Sequence, residues 1–298
     1  MKNKLVLPIF LIITVMMMSY SSVPVAADLQ DVLDRGKLLV GSDTTYPPFE
    51  FINETSKLPI GFDVDIAKEI ASRMGVDVEI KTVKWESIIP SLQSGEYDVI
   101  ISAMTITEER SQEISFSKPY YNSSQAILVA SGNPKNIHDE NDLTRDDVII
   151  GVQRGTTSDD YITGKQKEEN IVRLQDFNLL YQKLDLGEID VILGDFPVVA
   201  YAARTGEVQG EVVATFGSVE QFGIGVRKED TNLLNKINEI LDAMFADGKY
   251  DEIFNNWFAT GGSTDTNETT TPFSMPAVFV GFGFLAIAVV LRRRKILA

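Results

Sequence analysis

Small hydroxylated residues and one arginine follow an apolar run near the middle of the chain. The run 99–101 (Val-Ile-Ile) is typical of a buried strand, and Ser102, Ala103 and Thr105 come directly after it. Ligands of parallel α/β sheets lie at the carboxyl ends of strands, where hydroxyls and carbonyls can bind an ammonium. Arg110 follows shortly, and its guanidinium can bind a carboxylate through two parallel hydrogen bonds. These groups suit the α-carbon end of an amino acid, although Arg110 paired with a neighbouring surface acid is an equally simple interpretation.

A short internal repeat indicates two related halves. Residues 95–100 (Gly-Glu-Tyr-Asp-Val-Ile) match residues 187–192 (Gly-Glu-Ile-Asp-Val-Ile). Each copy predicts the end of a helix, a turn and a buried strand, and Asp195 follows the second strand. An acid directly after a buried strand needs a partner, because burial of an unpaired charge is costly. Two facing sheets that offer their carboxyl edges to one cleft would give this pattern.

Strands and helices alternate along both halves, which predicts an α/β fold with largely parallel sheets. A helix is predicted to begin with Asp63 as its cap and to end at Gly75. Trp85 leads into a shorter helix. In the first half, strands are predicted at 38–41, 76–80 and 98–101.

The composition excludes several classes of protein. There is no cysteine, so disulfides, thiolate catalysis and cysteine-ligated metals are excluded. The only histidine, His138, lies in a polar stretch and is predicted to be a surface residue. We therefore expect no metal and no cofactor. The chain has 27 basic and 43 acidic residues, a formal charge of −16, so nucleic acid is not an expected partner.

The amino-terminal end is typical of a secretory signal. Residues 1–27 have a cationic start and an apolar stretch, and they end in Val-Ala-Ala before Asp28. This is the layout of a cleaved signal peptide, and the apolar stretch is short for a membrane span. The mature protein is therefore expected to leave the cytoplasm.

The carboxyl-terminal end predicts a membrane anchor. Residues 261–271 form a polar linker, and residues 272–298 are apolar until the basic run 292–295 (Arg-Arg-Arg-Lys). The length suits one span with its basic end in the cytoplasm. The tail resembles the sorting segments of archaeal surface proteins, although it has Pro-Phe in place of their usual tripeptide. We expect a body at the cell surface, anchored to the outer face of the cytoplasmic membrane.

Several motifs occur together in a characteristic order. They are Gly-Ser-Asp-Thr-Thr-Tyr-Pro-Pro-Phe-Glu (41–50), Gly-Phe-Asp-Val-Asp (61–65), Ile-Pro-Ser-Leu (89–92), Thr-Ile-Thr-Glu-Glu-Arg (105–110), Gly-Val-Gln-Arg-Gly-Thr-Thr (151–157), Gly-Val-Arg-Lys (225–228) and Asp-Gly-Lys-Tyr (247–250). From about Arg35 to Phe258, the chain closely resembles the polar amino-acid solute-binding proteins of ABC importers, family 3. Several motifs at matching spacing make this resemblance far more specific than one motif alone.

The resemblance implies an α/β fold in the form of a two-lobed, periplasmic-binding-protein-like clamp. Each lobe would be a mostly parallel sheet flanked by helices, with two hinge strands between them. Lobe one would comprise 28–124 plus 222–260, and lobe two 125–221, with hinges near 124–125 and 221–222. The implied function is capture of an L-amino acid by lobe closure and delivery to an ABC permease in the membrane. We expect the protein to act as a monomer.

The resemblance also implies how the α-carbon end of the ligand is bound. Arg110 would hold the α-carboxylate, helped by the backbone N–H groups of Thr105 and Thr157, the latter at a helix start. Asp195 would hold the α-ammonium, together with the carbonyl of Ala103 and the hydroxyl of Thr105.

The side chain of the ligand is expected to lie between two aromatic residues, Tyr46 and Trp85. Asp43 and Gln153 would meet its polar end. Asp43 favours a side chain that donates hydrogen bonds, as in glutamine, arginine, lysine or histidine, and disfavours glutamate. The complete expected site is Asp43, Tyr46, Trp85, Ala103, Met104, Thr105, Arg110, Gln153, Thr156, Thr157 and Asp195.

Two other functions are compatible with the same resemblance. Some similar proteins are cyclohexadienyl dehydratases, which act on arogenate or prephenate and need a general acid near the leaving hydroxyl. The cleft offers Asp43 and Asp195, of which Asp195 is assigned to the ammonium. A sensory domain that signals through its tail is the other alternative, but only three residues follow Lys295. We therefore predict a binding protein and not an enzyme.

Overall fold

The computed structural model describes residues 28–259, which form two main sheets and their flanking helices. The helices are α1 (Leu29–Arg35), α2 (Phe62–Met74), α3 (Ile88–Gln93), α4 (Glu108–Glu113), α5 (Thr157–Ile162), α6 (Asn178–Asp185), α7 (Phe196–Thr205), α8 (Thr231–Asp247) and α9 (Lys249–Phe254). The strands are β1 (Lys37–Ser42), β2 (Thr45–Tyr46), β3 (Glu50–Ile52), β4 (Pro59–Ile60), β5 (Asp77–Thr82), β6 (Val99–Ile100), β7 (Ser115–Phe116), β8 (Tyr121–Ala130), β9 (Ile150–Gln153), β10 (Ile171–Leu174), β11 (Val191–Asp195), β12 (Gly210–Phe222) and β13 (Gly225–Val226).

The first main sheet has the strand order β5-β1-β6-β13-β7. Strands β5, β1 and β6 are parallel, whereas β13 runs antiparallel to both β6 and β7. Helix α2 covers this sheet with its apolar face and ends at Gly75, which adopts the left-handed conformation (φ 77°) that glycine allows. Asp63 does not cap α2, so that prediction is wrong. Gly61 precedes the helix, and the Asp63 carboxylate is fully buried and accepts hydrogen bonds from elsewhere.

The second main sheet has the order β10-β9-β11-β8-β12. Strands β10, β9 and β11 are parallel, and β8 and β12 add antiparallel pairings. Both main sheets are therefore mixed, with a parallel part whose carboxyl ends can face a ligand. Strands β2, β3 and β4 form a third, small sheet in that order.

The long antiparallel pair β8 and β12 links the two halves. Phe222 pairs with Tyr121 at one end of β12, and Gly210 pairs with Ala130 at the other. A register shift interrupts the pairing between Phe216 and Glu220, so the chain bends where it leaves the second sheet. The expected hinges, near 124–125 and 221–222, lie on this pair of strands.

Among residues 28–259, no helix combines the length and the apolar character that a membrane crossing requires. The expected signal peptide (1–27), linker (261–271) and carboxyl-terminal membrane segment (272–298) lie outside the described residues.

A nearly unexposed ion pair supports the first main sheet. A guanidinium nitrogen of Arg227 lies 2.7 Å from a carboxylate oxygen of Asp230, and their side chains are 4% and 0% exposed. A second nitrogen donates to the carbonyls of Leu92 and Tyr97. Arg227→Met should leave Asp230 buried without its cation and lower the free energy of unfolding by about 3–5 kcal/mol. Thermal unfolding should then occur roughly 10 °C lower. Lys228→Met, at an exposed neighbour, is the control, and equal melting temperatures for the two variants would contradict this prediction.

Candidate ligand-binding site

A cavity lies between the two main sheets. Asp43 follows β1 and Thr105 follows β6, whereas Gln153 and Asp195 end β9 and β11. The carboxyl ends of parallel strands from both sheets therefore meet at one cavity. Its lining residues are Asp43, Tyr46, Glu50, Trp85, Ser102, Ala103, Thr105, Arg110, Gln153, Thr156, Thr157 and Asp195.

The turn after β6 decides which of its side chains reach the cavity. Ala103 has φ 43°, a left-handed conformation that costs an alanine roughly 1 kcal/mol. Its N–H donates to Asp63 Oδ2 at 2.6 Å, which stabilises the turn. Beyond the turn, Thr105 lines the cavity. Met104 is the one expected site residue that the structure does not bring to this cavity, because its side chain is buried in the apolar cluster around Ile88.

Arg110 projects from the first turn of α4, which Thr107 caps. Its guanidinium donates to the carbonyls of Thr105 (2.9 Å) and Gly155 (3.2 Å) and lies 5.1 Å from the centre of the Trp85 ring. Both hydrogen bonds go to carbonyls, so the guanidinium is not engaged by the nearby acid Glu113. Desolvation lowers the pKa of Arg110, but arginine stays charged in proteins. The side chain can therefore present a positive charge to an anion in the cavity.

Asp195 is a buried acid with neutral hydrogen-bond partners. Its carboxylate accepts from the hydroxyls of Tyr46 (2.6 Å) and Ser123 (2.9 Å) and from the amide of Gln125 (3.4 Å). Burial, and then the nearby negative charge of Glu220, raise the pKa of Asp195 from 3.8 to about 7. A cation placed beside this carboxylate would lower the pKa again, so the group is suited to bind an ammonium.

A second acid lies at another part of the cavity. Asp43 accepts a hydrogen bond from the Gln153 amide at 2.7 Å and another from the Thr45 hydroxyl at 3.1 Å. Burial raises the pKa of Asp43 from 3.8 to about 6, and the charge of Asp176 adds to this effect. Gln153 belongs to the other lobe, so this contact joins the two sides of the cavity.

Glu50, which lines the cavity, forms a buried acid pair with Asp63, and no sequence motif indicated this role for it. Ser102 donates to Glu50 at 2.8 Å, and Tyr120 donates to Asp63 at 2.8 Å. Burial, and then the charge of Asp63, raise the pKa of Glu50 well above its usual value, while burial raises the pKa of Asp63 to about 7. Burial therefore favours the protonated form of Glu50. Glu50 comes two residues after Pro48, in a stretch without the periodicity that could indicate where its side chain points.

Contacts between the lobes also enclose the mouth of the cavity. Trp85 Nε1 donates to the Gly155 carbonyl at 2.9 Å. The neighbouring Glu86 forms an ion pair with Arg154 at 2.9 Å and accepts from the Gln175 amide at 2.5 Å. The described residues thus form a clamp whose two halves meet around the lining residues.

Comparison with known proteins identifies the family. Residues 38–260 match the family described as bacterial extracellular solute-binding proteins, family 3. The chain belongs to this family. ABC transporter arginine-binding protein 1 of Escherichia coli (strain K12) is 34% identical over 226 residues, which cover 74% of this chain and 90% of that protein.

Solved structures related to this family 3 protein have the same architecture. The ancestral amino acid-binding protein AncCDT-1, a precursor of cyclohexadienyl dehydratase, has a TM-score of 0.73 and 37% identity, covering 77% of this chain and 99% of that one. An ancestral arginine-binding protein bound to glutamine has a TM-score of 0.69 and 40% identity, covering 77% and 99%. The family and the two-lobed α/β clamp expected from the sequence are confirmed.

Proposed function

We propose that this family 3 protein captures a polar or cationic L-amino acid by lobe closure, with L-arginine preferred, and delivers it to an ABC permease. Arg110 would bind the α-carboxylate, with the N–H groups of Thr105 and Thr157. Asp195 would bind the α-ammonium, with the carbonyl of Ala103. The names of the relatives support an amino acid as the ligand, and one of them is an arginine-binding protein of an ABC transporter.

The distribution of charge in the cavity carries the proposal. Arg110 is the only cation among the described residues that line it, whereas Asp43 and Asp195 are both acids whose pKa burial raises. A zwitterion with a cationic side chain would supply one carboxylate for Arg110 and one cation each for Asp43 and Asp195. Glutamine, a neutral hydrogen-bond donor, is the second choice. Glutamate would bring its carboxylate to Asp43 and be repelled.

Closure follows from the contacts that a ligand would make. Tyr46 and Trp85 enclose the cavity from lobe one, and Gln153, Thr156 and Asp195 come from the other side. A ligand that touches both lobes binds the closed state more tightly than the open one, so it shifts the equilibrium towards closure. The closed clamp would then dock on the permease.

We further propose that the protein works outside the cell. A signal peptide would direct its export, and the apolar segment 272–298 would hold it at the outer face of the cytoplasmic membrane behind the linker 261–271. Fractionation of cells that produce the full chain tests this part, with the body expected in the membrane fraction and accessible to added protease. Release of the whole chain into the medium would contradict the anchor.

Calorimetric titration with the twenty amino acids tests the ligand class. We expect L-arginine to bind with a Kd of about 1 μM or tighter, which corresponds to roughly −8 kcal/mol. Lysine, histidine and glutamine should bind more weakly, and glutamate not measurably. If no amino acid binds more tightly than millimolar, the proposed ligand class is wrong.

Asp43→Asn is expected to separate the two leading ligands. The substitution removes the charge that would meet a cationic side chain but keeps a hydrogen-bonding group of similar size. Arginine should therefore lose at least about tenfold in affinity, roughly 1.4 kcal/mol, while glutamine should lose much less. Equal losses for both ligands in parallel titrations would contradict the role given to Asp43.

Glu50 gives a specific reason to test a second function. It lines the cavity, and burial together with the charge of Asp63 raises its pKa well above the usual value, which favours the protonated form that a general acid needs. A dehydratase acting on prephenate or arogenate is therefore the alternative. Formation of phenylpyruvate or phenylalanine by the wild-type protein, lost in Glu50→Gln, would support the enzyme. We expect the wild-type protein and Glu50→Gln to give the same background signal.

A further inference from the structure

Glu220 lies where the two lobes meet the hinge strands, in the part of β12 that follows the register shift. One carboxylate oxygen, Oε2, accepts from the hydroxyl of Thr105 at 2.6 Å and from the hydroxyl of Thr157 at 3.1 Å. The other oxygen, Oε1, accepts from the Gln125 amide at 3.1 Å. Thr105 and Thr157 line opposite sides of the cavity, so one half-buried carboxylate fixes a hydroxyl on each side.

We infer that Glu220 is a positioning residue that makes the site select ligands with an α-ammonium. This inference rests on the proposed function, and it adds a residue that the motifs of the sequence did not indicate. Glu220 does not line the ligand cavity itself, and it acts through Thr105, Gln125 and Asp195.

The hydrogen-bonding capacity of the Thr105 hydroxyl supports the inference. A hydroxyl has one proton and two lone pairs. Because the proton of Thr105 is donated to Glu220, the lone pairs of its oxygen remain for a donor in the cavity. An ammonium donates hydrogen bonds and accepts none, so this orientation favours it. Without the acceptor at Glu220, the hydroxyl could turn its proton towards the cavity and oppose the ammonium.

Gln125 connects the same carboxylate to Asp195. Its amide oxygen accepts from Ser158, which leaves the amide nitrogen to donate to Glu220 and to Asp195. The orientation of the amide is thereby fixed, because a flipped amide would face both carboxylates with its oxygen.

The negative charge of Glu220 favours an ammonium in the cavity, as these hydrogen bonds do. The groups that face Asp195 are the hydroxyls of Tyr46 and Ser123, the amide of Gln125, and the charges of Glu220 and Arg110. Glu220 raises the pKa of Asp195 and also increases the negative potential that an ammonium would meet. An α-ammonium at Asp195 would thus meet the negative potential of two acids, although only Asp195 would contact it.

The test compares L-arginine with 5-guanidinovalerate, which is arginine without its α-amino group. Binding of both to wild type, Glu220→Gln and the control Glu211→Gln is measured by calorimetry from pH 5 to pH 8. Glu211 is exposed on the same strand, β12. Glu220→Gln should lower the affinity for arginine by about tenfold and the affinity for the analogue by less than about twofold. The reason is that the charge-assisted hydrogen bonds from Thr105 and Gln125 to Glu220 are lost, and these two residues act on the ammonium. The pH at which arginine affinity begins to fall should also move lower, and Glu211→Gln should change neither quantity.

Equal losses for arginine and its analogue, with an unchanged pH profile, would overturn the inference and leave Glu220 a structural residue. If Glu220→Gln does not fold, Thr105→Val removes the hydroxyl through which Glu220 acts and should give the same selective loss of arginine. An undiminished preference for arginine in that variant would also overturn it. Failure of the wild-type protein to bind any amino acid is a different result, which rejects the proposed function itself.

Discussion

Replacement of Arg110 by alanine is expected to weaken L-arginine binding by about 30-fold to 5,000-fold, because loss of one partner of a desolvated charge pair costs about 2–5 kcal/mol. Its guanidinium is already oriented by the carbonyls of Thr105 and Gly155. Arg110→Lys keeps the charge but loses the planar two-donor geometry, so it should bind with intermediate affinity. Calorimetry of the three proteins measures the series.

Arg154→Ala is the matched control for this series. Arg154 also lies at the cavity mouth, but its side chain is 54% exposed and its partner is Glu86 on the other lobe. Exposed ion pairs contribute about 0–1 kcal/mol, so the Kd should change only a few-fold. If the two alanine variants bind equally well, Arg110 does not hold the ligand carboxylate.

Acidification is the second change with a large expected effect. Binding of an α-ammonium requires the ionised form of Asp195, whose pKa is raised to about 7 by burial and by Glu220. Below pH 7 the affinity for L-arginine should therefore fall by about tenfold per pH unit, and Asp43, with its pKa near 6, should steepen the fall below pH 6. Titrations from pH 8 to pH 5 measure this, and titrations in buffers of different ionisation enthalpy should show proton release on binding at pH 6.5.

The stability of the folded protein should depend on pH in the opposite sense to the ligand affinity. An acid whose pKa is higher in the folded state than in the unfolded state binds more protons when folded, so its contribution stabilises at low pH and is lost as the pH rises through about 7. The protein without added ligand should therefore melt at a higher temperature at pH 5.5 than at pH 8. Arginine should raise the melting temperature most at pH 8.

Asp195→Asn should bind arginine at least about a hundredfold more weakly and lose the pH dependence of affinity near pH 7. An affinity that is constant from pH 8 to pH 5 would contradict the assignment of Asp195.

Local sequence patterns were sufficient to predict the helices and strands that carry the site. Gly75 ends α2 as expected, and Asp195 is the last residue of the buried strand that the repeat indicated. Side chains at the ends of parallel strands can be located from the sequence, because the carboxyl ends of such strands lie together at one edge of the sheet. Asp63 looked like a helix cap because it precedes an apolar face, but tertiary contacts with Ala103 and Tyr120 bury it instead.

Other residues of the site depend on geometry that no local pattern encodes. Met104 lies between two lining residues, yet the left-handed turn at Ala103 leaves its side chain in the core. Glu220 reaches Thr105 and Thr157 because of a register shift in the hinge pair, and a shift of this kind comes from long-range strand pairing. Its neighbours in the sequence are exposed, which by itself would suggest an ordinary surface acid.

A crystal structure of the protein with L-arginine tests the proposed binding mode most directly. We expect the α-carboxylate within about 3 Å of the Arg110 guanidinium and the α-ammonium at a similar distance from Asp195, with the ligand guanidinium at Asp43. A ligand bound outside this cavity, or bound in it with its ammonium away from Asp195, would contradict the proposal.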